Sequence, residues 1–181
     1  FSVQYELAPS PLESDRFLLK LGVRAKDIEE DNNKLWNLVF LVDTSGSMNE
    51  PNKLPLLKQS LKVLVNKMRT DDRVAIVTYA GSAGVALEST AGNEKQKIIN
   101  AIDNMQSGGS THGSAGIDLA YQIALQNKKE EVVNRVILAT DGDFNVGTYD
   151  FEGLKRLIEE KRKLGITLTT LGFGAGNYNE K

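Results

Sequence analysis

The stretch LWNLVFLVDTSGS, residues 35–47, decides the fold of this chain. Residues 35–42 are almost continuously apolar and rich in β-formers, which is typical of a strand that helices cover on both faces. The residues that follow change abruptly to a carboxylate, hydroxyls and a glycine, which indicates a loop at the end of that strand. This pattern predicts the central strand of an α/β sheet.

Segments with strand-like and helical patterns alternate after this stretch. Strands are predicted at residues 73–79, 85–88, 135–140 and 166–173. Helices are predicted at residues 54–68, 98–105, 114–126 and 151–164, the last closed by Gly165. The connections are long enough for crossover helices, so we predict a Rossmann-like, doubly wound, mostly parallel sheet with helices on both faces.

The beginning of the chain has a different character. Residues 1–7 and 16–24 have strand-like character and flank a proline-containing break, which predicts two strands joined by a turn-rich loop. An acidic, polar connector follows them. We therefore divide the chain into a strand-rich extension with its connector, residues 1–34, and one α/β domain, residues 35–181. Because the chain stops just after a predicted strand, we expect this domain to lack its last helix.

Composition and charge exclude several functional classes. Lys and Arg number 22 against 24 for Asp and Glu, so no global positive charge would attract nucleic acid. The absence of cysteine excludes disulfides, thiol catalysis and thiolate metal sites. Apolar runs such as residues 38–42 are far shorter than the roughly 20 residues that span a bilayer, so no membrane span is expected.

Three polar loops lie at the ends of predicted strands or before predicted helices, where open α/β sheets bind their ligands. They are residues 43–47, 108–111 and 140–143. Together they offer carboxylates, hydroxyls and glycines, the oxygen ligands that a hard divalent cation such as Mg²⁺ or Mn²⁺ prefers. Mg²⁺ takes few direct carboxylates, so a cation held mainly by hydroxyls would keep enough positive charge to bind a further anion.

The pattern Asp43-x-Ser45-x-Ser47, followed by Thr111 and Asp141, resembles the metal-ion-dependent adhesion site of von Willebrand factor type A domains. The resemblance covers about residues 35–174 and implies the fold of that family. It also implies that both serines ligate the cation directly, that Thr111 does so directly or through water, and that the two aspartates act mainly through water. The remaining coordination position would belong to an Asp or Glu of a partner protein.

The runs at residues 108–111 and 139–147 are similar to a bacterial branch of this family, whose members are often associated with the cell envelope. This similarity implies a location in the envelope, either periplasmic or extracellular. Two further residues have simpler interpretations. Asp143 suits a turn-capping carboxylate, and His112 is predicted to make hydrogen bonds within its loop.

The leading hypothesis is therefore a protein-binding module without catalysis, in which the cation ligates an acidic side chain of the partner. The alternative is a Mg²⁺-dependent phosphatase-like hydrolase, because Asp43 after an apolar strand could also accept a phosphoryl group. Phosphatases of the haloacid dehalogenase type resemble Asp-x-Asp at this turn, whereas residue 45 is Ser, and no matching lysine is evident in a helix-start loop. A third possibility is a structural domain whose metal site has lost its function.

Overall fold

The structure, a computed structural model, describes residues 2–13, 15–24, 34–80, 82–108, 114–142 and 151–174. The chain divides into two compact units, residues 1–33 and residues 34–181. In the residues that the structure describes, the elements of the first unit are two strands, and the second unit combines strands with helices.

The first unit is an antiparallel two-stranded ribbon of β1 (Ser2–Pro9) and β2 (Phe17–Arg24). Its register pairs Tyr5 with Leu21 and Leu7 with Leu19, so one face of the ribbon is apolar. The other face is mostly polar and includes an ion pair of Glu6 and Lys20 at 3.3 Å, with Ala8 and Leu18 paired at its end. The predicted pair of N-terminal strands is confirmed.

The second unit is a five-stranded sheet with helices. Its elements are β3 (Trp36–Asp43), a 3-10 turn (Gly46–Asn49), α1 (Leu54–Lys67), β4 (Arg73–Ala80), β5 (Ser82–Ala91), α2 (Lys95–Asn104), α3 (Ser114–Gln126), β6 (Val133–Thr140), α4 (Phe151–Lys163) and β7 (Thr167–Gly172). The strand order is β5-β4-β3-β6-β7, with β3 at the centre. Three of the four strand pairings are parallel, which confirms the predicted mostly parallel sheet.

Strand β5 is longer than predicted, and it is the antiparallel strand of the mostly parallel sheet. The sequence predicts a short strand over residues 85–88, whereas β5 runs from Ser82 to Ala91 and is antiparallel to β4. Parallel neighbours need a crossover of about a dozen residues, and a single residue separates these two strands, so they form a hairpin. The residues that β5 adds on either side of the predicted strand, 82–84 and 89–91, are small or polar, so a hydrophobicity pattern does not show its full length.

The two faces of β3 carry two separate halves of the core. Leu38, Phe40 and Val42 pack with the buried leucines of α1 and the isoleucines of α2. Val39 and Leu41 point the other way and pack with α3, against which α4 adds partly buried leucines. Helices therefore cover both faces, as predicted from the continuous apolar run of β3.

Helix α4 ends at a glycine in the left-handed conformation, as predicted. Gly165 has a φ of +82° and donates its N–H to the Arg162 carbonyl, while Ile166 donates to the Lys161 carbonyl. These two bonds satisfy the carbonyls that the end of a helix leaves open. Among the described helices, none combines the length and apolar character needed to cross a membrane.

Tyr121 of α3 is fully buried, and its phenol is expected to lower the free energy of unfolding as the solution becomes alkaline. Among the described residues, its hydroxyl has no hydrogen-bond partner, and burial raises the pKa of its phenol to about 12. An unfolded phenol ionises near pH 10, so stability falls as the pH rises from about 10 to about 12, by up to about 1.4 kcal/mol per pH unit. Tyr121→Phe should remove the part of this loss that is due to Tyr121, whereas the part due to Tyr79, a second buried tyrosine whose pKa is raised, should remain.

At neutral pH the same substitution should leave the free energy of unfolding unchanged or raise it by up to about 1 kcal/mol, because a buried hydroxyl without a partner is removed. Urea unfolding of both proteins at neutral pH and at about pH 11 measures the two effects. A clear loss of stability at neutral pH would contradict the assignment of an unsatisfied hydroxyl.

Candidate metal centre

The polar loops after β3 and β6 meet at one edge of the sheet. These strands are parallel neighbours, and Val42 pairs with Ala139. The residues that follow, Asp43 on one strand and Asp141 after the other, therefore leave the sheet side by side. Asp43 is 0% exposed and Asp141 is 6% exposed. Two carboxylates buried this deeply require charged or hydrogen-bonding partners.

The carboxylate of Asp43 is held in place from two sides. One oxygen accepts the backbone N–H of Ser45 at 2.8 Å, and the other accepts the Thr140 hydroxyl at 3.2 Å. The Thr140 hydroxyl oxygen in turn accepts the N–H of Gly142 at 3.2 Å. These bonds link the two loops and fix the orientation of the Asp43 carboxylate.

The hydroxyls of Ser45 and Ser47 form a pair beside this carboxylate. Their oxygens are 3.0 Å apart. Neighbouring ligands of an octahedral Mg²⁺, each about 2.1 Å from the ion, are separated by about 3.0 Å, so the two hydroxyls fit adjacent positions around one cation. The 3-10 turn fixes this spacing, because the N–H of Met48 bonds to the Ser45 carbonyl and its side chain is fully buried in the core.

A lysine that the sequence did not single out contacts the same site. Lys53 lies directly before α1, and its ammonium nitrogen is 3.0 Å from Oδ2 of Asp141 and 3.0 Å from the Ser47 carbonyl oxygen. It also pairs with Glu50 at 3.3 Å. The hydrogen bond to Asp141 raises the pKa of Lys53 against the opposing effect of burial. A helix-start lysine therefore does contact the site, contrary to the expectation from the sequence.

Tyr79 lies beneath the site at the end of β4, in register with Asp43. It is fully buried, and burial raises the pKa of its phenol, with a further increase from the negative charge of Asp43. Its backbone carbonyl accepts the N–H of Thr44 at 3.1 Å, which anchors the loop after β3. Tyr79 lies next to Asp43 because of the register of β3 and β4, which the sequence alone does not supply.

Thr111 lies outside the described residues, as do His112 and Asp143, so its role as a ligand stays a prediction. The segment that leads toward it is described. The N–H of Gly108 bonds to the Thr44 carbonyl at 2.7 Å, and the Ser107 hydroxyl bonds to Oδ1 of Asn49 at 2.9 Å. The polar loop of residues 108–111 therefore begins against the loop after β3.

The donor set is rich in oxygen and modest in charge. In the described part of the chain, no group of three or more His, Cys, Asp or Glu side chains is placed to hold a metal. Two carboxylates and two hydroxyls instead share the site. Hard cations such as Mg²⁺ accept such ligands together with water, and softer metals prefer sulfur or imidazole. The residues present therefore fit a hard divalent cation.

Comparison with known proteins agrees with this fold. A model of the von Willebrand factor type A domain matches residues 37–181. An uncharacterized protein of Escherichia coli (strain K12), YfbK, is 48% identical over 180 residues, which is 99% of this chain and 31% of that protein. The chain thus spans about a third of the length of this relative.

Two solved structures of similar fold were described with metal. Manganese-loaded TRAP protein from Plasmodium vivax has a TM-score of 0.63 at 21% identity, over 80% of this chain and 59% of that chain. Proximal thread matrix protein 1 from the mussel byssus, with a zinc-occupied adhesion-site motif, has a TM-score of 0.58 at 27% identity, over 77% of this chain and 36% of that chain. The match over residues 37–181 shows that this chain belongs to the von Willebrand factor type A domain family.

Proposed function

We propose that this chain is a metal-ion-dependent protein-binding module. A Mg²⁺-like cation, Mg²⁺ or Mn²⁺, would be held by Asp43, Ser45, Ser47, Thr111 and Asp141 and would ligate an acidic residue of a partner protein. The observation that carries this proposal is the pair of serine hydroxyls at 3.0 Å, the spacing of adjacent Mg²⁺ ligands, beside two buried carboxylates.

The proposed roles differ between the ligands. Ser45 and Ser47 would bind the cation directly, and Thr111 directly or through water. Both oxygens of Asp43 already accept hydrogen bonds from Ser45 and Thr140, which suits a carboxylate that reaches the cation through water. Asp141 is assigned the same indirect role. The zinc at the adhesion-site motif of the mussel protein supports binding of a divalent cation.

The partner's chemistry follows from the ligands that this chain supplies. Uncharged hydroxyls neutralise none of a cation's charge, and carboxylates that act through water neutralise it less than direct contact does. A partner carboxylate from Asp or Glu would therefore be attracted to the remaining coordination position. No catalytic step is part of this proposal.

Added cation is expected to stabilise the protein. A ligand that binds only the folded state adds about 2.7 kcal/mol at a concentration of 100 times its Kd. For a protein of this size, that corresponds to a rise in Tm of roughly 5 to 10 °C relative to protein in EDTA. Thermal melts with EDTA, Mg²⁺ and Mn²⁺ measure the shift. An unchanged Tm, together with no heat of Mn²⁺ binding by calorimetry, would rule out the cation site and leave a purely structural domain.

Binding of an acidic partner requires its own test. The immobilised protein should retain a partner from extract of its native cells in Mg²⁺ and release it in EDTA. The variant Asp43→Ala should retain none. Subsequent substitution of single Asp and Glu residues in the captured protein should identify one whose loss abolishes binding. Equal retention in EDTA, or by the variant, would contradict a metal-mediated contact.

The contact of Lys53 with Asp141 gives the hydrolase alternative one supporting observation, since a phosphatase of that type pairs a helix-start lysine with its aspartates. Serine at position 45 still departs from that pattern. Hydrolysis of a generic phosphate ester that disappears in Asp43→Ala would favour the enzyme. Absence of turnover under conditions in which Mn²⁺ binds would favour the binding module.

The domain division and the cellular location are also proposed from resemblance. We assign residues 1–34 to a strand-rich extension and residues 35–181 to the von Willebrand factor type A domain, in a protein of the bacterial cell envelope. Fractionation of native cells, with detection by an antibody to this chain, tests the location. Recovery in the cytoplasmic fraction alone would contradict it.

A further inference from the structure

Lys53 brings a positive charge into a site that is proposed to bind a cation. Its side chain is 10% exposed, and the side chain of its partner Asp141 is 3% exposed. Water therefore screens their attraction only in part. Glu50, the other carboxylate near the ammonium, is 64% exposed and contributes less because it is hydrated.

Lys53 forms hydrogen bonds with both loops of the site. Its ammonium donates one hydrogen bond to the carbonyl of Ser47, on the loop after β3, and another to Oδ2 of Asp141, after β6. Lys53 therefore contacts the backbone of one proposed ligand and the carboxylate of another.

The balance of charges at the site indicates how Lys53 affects the binding of a cation and of an anion. Asp43 and Asp141 contribute two negative charges, and Lys53 cancels one of them. With a divalent cation added, the site carries one net positive charge, whereas without the lysine it would be neutral. A positive charge close to the cation opposes its binding, and the same charge attracts an anion that approaches the loaded site.

We propose that Lys53 sets the ligand preference of this site, weakening the binding of the cation and strengthening the binding of a carboxylate to the cation-loaded protein. This inference rests on the proposed function, because it presupposes that the site binds a cation. Lys53 acts here as a positioning and charge-setting residue and is not itself a ligand of the cation.

The test uses Mn²⁺ alone and then acetate as the simplest carboxylate. Lys53→Met keeps the unbranched side chain to within one atom of its length and removes its charge. Calorimetry should show Mn²⁺ binding on the order of tenfold tighter than in the unsubstituted protein, because a neighbouring unit charge no longer repels the ion. Acetate should bind the Mn²⁺-loaded variant about threefold more weakly than it binds the loaded unsubstituted protein. Proton relaxation measures this binding, because acetate displaces water from the bound Mn²⁺.

A purely structural role for Lys53 predicts a different pattern, since loosening the site would weaken both Mn²⁺ and acetate binding. Lys53→Gln keeps a hydrogen-bond donor without the charge and should behave like Lys53→Met. It replaces the methionine variant in the test if that variant does not fold. Lys97→Met removes an exposed lysine that pairs with Glu94 and should change neither affinity beyond about twofold.

The outcomes separate this inference from the proposed function. No Mn²⁺ binding by the unsubstituted protein would overturn both. Normal binding by that protein, with equal or weaker Mn²⁺ binding by the two Lys53 variants, would overturn the role of Lys53 alone. Tighter Mn²⁺ binding with unchanged acetate binding would also overturn it, because the proposed gain in carboxylate affinity would be missing.

Discussion

Replacing Asp43 with alanine is expected to remove the response of the domain to divalent cations, with a loss of Mn²⁺ affinity of about 100-fold. The carboxylate accepts the N–H of Ser45 and the hydroxyl of Thr140, so it connects the loops after β3 and β6. Its removal takes away negative charge and also frees the loop that carries the serine pair. Titration calorimetry with Mn²⁺ measures the loss, and the rise in Tm on adding Mn²⁺ should vanish with it.

The same variant should be only moderately less stable in EDTA. The two lost hydrogen bonds to a buried carboxylate are expected to lower the free energy of unfolding by about 1 to 3 kcal/mol. Asp71→Ala, at an exposed aspartate before β4, is the matched control and should bind Mn²⁺ like the unsubstituted protein. If Asp43→Ala bound Mn²⁺ with unchanged affinity, the site would have to lie elsewhere.

Much of the fold was predictable because local pattern and tertiary environment agree in most elements. Strand β3 is buried on both faces, so its sequence is almost continuously apolar, and α3 was predicted with both of its ends correct. The full length of strand β5 was not predicted. As an edge strand it pairs half of its backbone hydrogen-bonding groups with β4 and needs few apolar side chains. Hydrophobicity shows only the part of such a strand that faces the core.

The residues of the candidate site likewise include some that the sequence predicted and some that it did not. Asp43, Ser45, Ser47 and Asp141 were identified because each follows a predicted strand, and parallel strands bring their ends to one edge of the sheet. Lys53 was missed because the carboxylate that it contacts lies 88 residues away. Tyr79 was missed because its neighbour depends on the register of β3 and β4. Such contacts are set by packing and leave no local signal in the sequence.

Gly92→Ala is expected to be strongly destabilising, for a reason of packing alone. Gly92 follows β5, and its N–H bonds to the Asp72 carbonyl at 2.8 Å. An added Cβ would lie 2.1 Å from the Arg69 carbonyl oxygen and 3.1 Å from Cβ of Met68, so the backbone must move. We expect a loss of about 3 kcal/mol and a fall in Tm of roughly 6 to 12 °C.

The matched control is Gly84→Ala, in the same edge strand, where an added Cβ would meet nothing within 4 Å. Its effect should stay within about 0.5 kcal/mol, as at other open surface positions. Urea unfolding of both variants separates crowding from the general effect of replacing a glycine on the unfolded chain, because that effect is common to the two positions. Equal stability of the two variants would mean that the segment around Met68 and Arg69 can shift without loss, and that its close contact with the end of β5 does not constrain the fold.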